Sequence, residues 1–227
     1  MHLYTSPNSP FAARIEIALR AKAMSIDAAV LPAGGLKSPE FTAINPIAKI
    51  PVLVTDDGMV IPESVVILRY LEDLVPRPSL LPADPDGRAG INILIAVTDT
   101  YIMAPVIRLF PHLTASSRDM RVVDQEVAHW KHGMALLAHH LRMPLPAAEA
   151  GISMADCVMA PSLHLSRRIS LMLGLDQDPA DAHPEIVQYR MAINAHPLVA
   201  NVLRAVTLSQ EQSDLKAGRP SLAARHD

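Results

Sequence analysis

The sequence predicts an α/β N-terminal domain joined to an all-α helical C-terminal domain, and three observations lead there. Short β-like runs alternate with helical periodicity over roughly the first eighty residues, four prolines crowd the eleven residues Val75 to Pro85, and beyond them apolar positions recur almost only at helical spacing. The proline-dense stretch loses backbone donors and favours an extended path, so the chain divides into residues 1–76, a linker over 77–86 and a helical part over 87–227.

The elements follow in order. Leu3 to Thr5 reads as a strand, closed by the turn residues Ser6-Pro7-Asn8. Ser9 before Pro10 has the form of an N-cap followed by proline at the first helical position, with Phe11, Ile15, Ala18 and Leu19 at helical spacing. Ala28 to Leu31 is the second strand and Ser38 to Phe41 a short helical turn. The runs Ile50 to Val54 and Met59 to Ile61 flank Asp56-Asp57-Gly58 as a hairpin, and Val66, Ile67, Tyr70 and Leu71 restore helical period from Glu63 to Leu74. The order is β-α-β-α-β-β-α. Helices are then expected near 88–110, 118–141, 153–173 and 184–193 and after Pro197, with a frayed polar tail over 214–227. Ser153-Met154-Ala155-Asp156 has capping-box form and marks a helix start, not a catalytic pair.

Composition removes several function classes. Of 227 residues, 50% are hydrophobic and 19% charged, ample for a core. Twenty Lys and Arg against 23 Asp and Glu give a formal charge of -3, which points to no nucleic-acid partner. The start lacks a basic segment followed by a long apolar one, and apolar windows such as Ile91 to Val97 are cut by Asn92 or Asp99, so neither secretion nor a membrane span is expected. Cys157 is the only cysteine, which excludes an intramolecular disulfide and fits a cytoplasmic protein in which it packs as a small hydrophobe. His129 and His132 share a helix face near His139-His140, yet without a clear third ligand they read as a solvated face, and no metal is expected.

The string Asn45-Pro46-Ile47-Ala48-Lys49-Ile50-Pro51-Val52-Leu53, then Ile61-Pro62-Glu63-Ser64, inside this element order and before an all-helical half, resembles the cytosolic glutathione transferase family over nearly the whole chain. That resemblance implies a thioredoxin-like N-terminal domain that binds glutathione as co-substrate. It also implies a helical C-terminal domain that shapes the pocket for a small-molecule electrophile, and a homodimer. By resemblance, Ile50 and a cis Pro51 present a backbone edge to the cysteinyl part of glutathione, Ser64 holds the γ-glutamyl carboxylate and Glu63 its ammonium group. A helix start with free amides is an anion site on physical grounds as well. Lys37 matches the cation that meets the glycyl carboxylate, with Lys49 as a second choice, and Phe11, Tyr101, Met103, Ile107 and Phe110 are candidates for the second-substrate wall.

The chemistry asked of such a site is to ionise a thiol whose pKa is near 8.5, about 3% thiolate at pH 7. Lowering that pKa by two units takes about 2.7 kcal/mol, much of which one hydroxyl donor at a helix N-terminus can supply. Tyr4, Ser6 and Ser9 carry candidate hydroxyls, and alignment with the family's first helix selects Ser9. A serine cannot form a mixed disulfide, so conjugation, isomerisation or peroxide reduction remain open. The Ser-Ser-Cys string of the zeta-type isomerases is replaced by Ser9-Pro10-Phe11, which points away from a maleylacetoacetate isomerase role. The alternatives are a dedicated catabolic enzyme (dehalogenase, ether cleavage, isomerase) and a non-catalytic ligand carrier or interaction module of the same fold.

Overall fold

The computed structural model describes residues 1–143 and 148–216. Four short strands, β1 (His2–Tyr4), β2 (Asp27–Ala29), β3 (Val52–Val54) and β4 (Val60–Pro62), form one sheet in the order β2-β1-β3-β4. The β1–β2 pair is parallel and is joined by helix α1 (Pro10–Ala21), while β1–β3 and β3–β4 are antiparallel. The register aligns Leu3 with Leu53 and Leu53 with Ile61, so three apolar side chains form a row on one face, all buried. Helix α1 and helix α3 (Ser64–Leu74) supply Ile15, Ile17, Ile67, Leu68 and Leu71 to the same core. On the opposite face, helix α2 (Pro39–Ile44) buries Phe41 edge-on against Tyr4 at 5.4 Å between ring centres.

The proline-rich connection is a strap rather than a spacer. Lys22 Nζ reaches Glu72 Oε2 at 2.6 Å and also donates to the carbonyls of Val75 and Pro78, and Glu72 accepts from the backbone amide of Leu80. Leu80 is fully buried. Both the Ile50–Pro51 and the Arg77–Pro78 peptides are cis.

Helices α4 (Pro85–Val97), α5 (Ala104–Arg108), α6 (Met120–Leu141), α7 (Met154–Leu173), α8 (Pro184–Ala195) and α9 (Pro197–Lys216) build the remainder. The single helix expected near 88–110 is broken by a π-helical turn, Thr98–Met103, in which the Ala104 amide reaches back to Asp99 O. Pro105 explains the break, since it has no N–H to offer the Tyr101 carbonyl. The stretch Pro85–His112 is long and apolar enough to cross a membrane, but half of its most apolar window is packed inside this fold. The capping box closes as expected, with Ser153 Oγ accepting from Asp156 N at 3.2 Å and Asp156 Oδ2 accepting from Ser153 N at 2.7 Å. The expected frayed tail is corrected in part: α9 stays helical through Lys216, drawn down by a buried Arg168–Asp214 ion pair, and residues 217–227 lie outside the described residues.

Between α7 and α9 His164 is largely buried, its Nε2 3.1 Å from Thr207 Oγ1. Burial first, and then the cations Arg168 and Arg167, push its pKa down from 6.5 to about 4. A depressed histidine stabilises the fold fully above the unfolded value and loses that stability as pH falls from 6.5 towards 4, roughly 2–3 kcal/mol in all. Urea titrations at pH 7 and pH 4.5 are expected to show this loss in the wild type and a smaller one in His164→Gln. Equal losses in both proteins would remove His164 as the cause.

Candidate functional site

A cleft of about 330 Å³ opens where the sheet unit meets the α5 end of the helical half. Its sheet side is built by the segment from Asn45 to Pro51. Asn45 is 2% exposed, and its side chain accepts from the Ile47 amide at 3.2 Å and donates to Lys49 O at 2.9 Å. That bracing turns the chain so that Ile47, Lys49, Ile50 and Pro51 all face the cleft. The floor is the β4–α3 junction, where Pro62, Glu63 and Ser64 also line it. Glu63 sits at φ 69° and ψ 116°, and Ala48 at φ 55°, backbone conformations that non-glycine residues adopt only when their surroundings impose them. The first turn of α3 follows directly, so unpaired amides and the positive helix end point into the same space.

One arginine ties this floor to the helical half. Arg14, 1% exposed, donates from Nη1 to Ser64 Oγ at 3.2 Å, from Nη2 to Ser162 Oγ at 2.8 Å, and from both nitrogens to Asp99 at 2.6 and 3.1 Å. Because Ser64 Oγ already accepts from Arg14, its hydrogen is the group it can offer to a carboxylate. Arg14 also stacks its guanidinium over the Phe11 ring, 4.5 Å from the centroid. Sequence reading missed both Arg14 and Asp99. The signals were there: Arg14 falls within the apolar stripe Phe11, Ile15, Ala18 of α1, and Asp99 interrupts an apolar helix.

Most of the residues selected from sequence converge. Ile50, Pro51, Glu63, Ser64, Phe11, Ile107 and Phe110 line one cleft, the last three as an apolar wall between α1 and α5. Four do not line it. Tyr101 is 47% exposed and precedes Ile107 by six residues, which at helical period puts it on a different face. Lys37 is exposed at the end of a 3₁₀ turn, Gly35–Lys37, and the cation at the cleft is Lys49. Ser9 Oγ caps α1, accepting from the Ala12 amide at 3.3 Å, two residues before Phe11. Met103 is buried in the core at 1% exposure. Of the competing hydroxyls, Tyr4 packs against Phe41 and Ser6 Oγ is 2.6 Å from Asn8 Oδ1. Burial pushes the Cys157 thiol up, away from thiolate chemistry. Among the described residues no three His, Cys, Asp or Glu side chains are grouped to hold a metal ion.

The arrangement offers the backbone around the cis Ile50–Pro51 peptide, an anion-binding helix start and an apolar wall within reach of one small peptide-like molecule and one apolar molecule. Comparison with known proteins gives the same direction. The sequence pattern of the glutathione S-transferase N-terminal domain matches residues 3–79. Maleylacetoacetate isomerase from Pseudomonas aeruginosa is 30% identical over 207 residues, 87% of this chain and 92% of that protein. The maleylacetoacetate isomerase of Rattus norvegicus is 38% identical over 186 residues, 76% of this chain and 81% of that protein. The solved structure of a maleyl pyruvate isomerase, a bacterial glutathione S-transferase in the zeta class, aligns with a TM-score of 0.71 at 25% identity, across 91% of this chain and 98% of that one.

Proposed function

This chain belongs to the glutathione transferase family, and we propose that it binds glutathione in the cleft, ionises its thiol through Ser9 and directs the thiolate at a small apolar or aromatic electrophile. The observation that carries this reading is the convergence of Ile50, Pro51, Glu63 and Ser64 with the apolar wall of Phe11, Ile107 and Phe110 around a single cleft. In this reading the sheet-bearing domain, to about residue 76, holds the tripeptide, and the helical domain from about residue 87 supplies the electrophile's wall.

Ile50 and Pro51 offer their backbone to the cysteinyl unit, Ser64 donates to the γ-glutamyl carboxylate, and Glu63 faces its ammonium group. Lys49 and Lys37 are the two cations for the glycyl carboxylate, and its place in the cleft lining favours Lys49. Ser9 Oγ accepts from the Ala12 amide in its cap, which leaves its one hydrogen to be donated to the thiolate. The names of the relatives favour isomerisation as a second reading. Against it, Lys49 is the one cation among the residues lining the cleft, whereas a maleyl substrate brings carboxylates of its own in addition to those of glutathione.

A cytoplasmic homodimer engaged in detoxification completes the proposal. Its dimer is supported by exposed apolar Val66 on α3 and Ile93 on α4, which flank the Arg69–Asn92 hydrogen bond between those helices. The test is a pH titration of the ultraviolet thiolate absorbance of bound glutathione, with sedimentation of the same samples for the dimer. Wild type is expected to hold the thiol about two units below its free pKa, and Ser9→Ala to return it, with glutathione affinity changed little. An unshifted pKa in the wild type would leave a glutathione carrier, and absent binding would remove the transferase reading.

A further inference from the structure

The loop that carries Ser9 is held from the far end of the chain. The Asn8–Ser9 peptide group is pinned on both sides: the Ser9 amide donates to Ser6 O at 3.1 Å, and the Asn8 carbonyl accepts from Gln210 Nε2 at 3.1 Å. Gln210 lies on α9, 7% exposed. One turn further on, Ser213 Oγ accepts from Asn8 Nδ2 at 3.4 Å and donates to Ser209 O at 2.9 Å. This turn of α9 is itself anchored to α7 by the buried Arg168–Asp214 pair.

The plane of the Asn8–Ser9 peptide decides where the Cα–Cβ bond of Ser9 points, since only rotation about N–Cα separates them. A displacement of about 1 Å at the hydroxyl is enough to lose most of a hydrogen bond to a thiolate. We propose that Gln210 is a positioning residue for thiol activation, and that the C-terminal helix sets the direction of the Ser9 hydroxyl by clamping the peptide before it. The inference rests on Ser9 as the thiol-activating group. It assigns α9, otherwise a packing helix against α1, a part in the chemistry through one buried amide.

The experiment is the bound-thiolate titration on Gln210→Met, which keeps side-chain volume and removes the donor. The bound thiol pKa is expected to rise by about half a unit to one unit, a loss of about 1.5- to threefold in thiolate at about pH 7, with the dissociation constant of glutathione within about twofold of wild type. In a Ser9→Ala background the same substitution is expected to add nothing, because both act through one hydroxyl. A further rise in that background, or a wild-type pKa in Gln210→Met where Ser9→Ala has raised it, overturns the clamp and leaves the Ser9 reading standing. If Ser9→Ala itself leaves the pKa in place, both fall. Ser213→Ala, at an exposed position, covers the case in which Gln210→Met does not fold: a smaller rise in the same direction is expected, and no rise overturns the proposal.

Discussion

Replacing Asp99 by alanine is expected to destabilise the protein by about 3 kcal/mol or more, because it strips a buried guanidinium of its only charged partner among the contacts described. Arg14 is 1% exposed, and two of its four described hydrogen bonds go to Asp99. Its Nε is already buried without a partner, so no local slack exists to absorb the loss. The Asp99 side chain is 34% exposed, which lets water screen part of the pair and places the effect at the low end of the range for buried ion pairs, about 3–5 kcal/mol. For a chain of this size that corresponds to a fall in Tm of roughly 6–12 °C. The same substitution releases Arg14 from its fixed position under Ser64, so glutathione affinity is expected to fall with stability. Denaturant unfolding and glutathione titration of Asp99→Ala, beside Arg14→Met and the double variant, check this. The double variant is expected to be more stable than Asp99→Ala, since it buries no lone charge. A loss below about 1 kcal/mol in Asp99→Ala would show that Arg14 is neutralised by other means.

Gly133→Ala is the second large effect. Gly133 lies in the middle of α6, and a Cβ built there would meet Tyr101 O at 2.1 Å and Tyr101 C at 2.5 Å. These are backbone atoms of the π turn, which no rotamer change can move aside. Relief requires α6 to move away from the π turn, opening the packing around Trp130, Ile102 and Met134, all nearly or fully buried. A cost of about 3 kcal/mol or more is expected, with a fall in Tm near 10 °C. The π turn also carries Asp99, so activity in Gly133→Ala is expected to drop by more than the unfolded fraction accounts for. A Tm within about 2 °C of wild type would mean the helices separate cheaply.

The fold was legible because its signals are local. Ser9-Pro10 and Ser38-Pro39 start helices through caps that need only neighbouring residues, and both serines accept the expected amide. The capping box at Ser153 works in the same way, with Tyr189 adding a bond to Asp156 that no sequence spacing predicts. Much of the candidate cleft was legible for a related reason. Ile50-Pro51 and Glu63-Ser64 lie at strand and helix ends, and a hairpin brings the two together. The break at Thr98–Met103 was missed although its local cause, Pro105, stands in the sequence, whereas the close approach of Gly133 to Tyr101, some thirty residues away, has no local signal.

By itself the sequence determined the order of elements, the two-part architecture, the apolar and polar faces and the family pattern, all of which follow from periodicity and from residues within a few positions of each other. Only the tertiary structure decided that Arg14 joins α1, α3, the π turn and α7, that Lys49 rather than Lys37 lines the cleft, and that Gln210 reaches Asn8. A charge on an apolar stripe or a glutamine on a C-terminal helix has no partner along the chain. Its partner is set by which helices pack together, and the cost of leaving such a group buried and unpaired is what then holds those contacts in place.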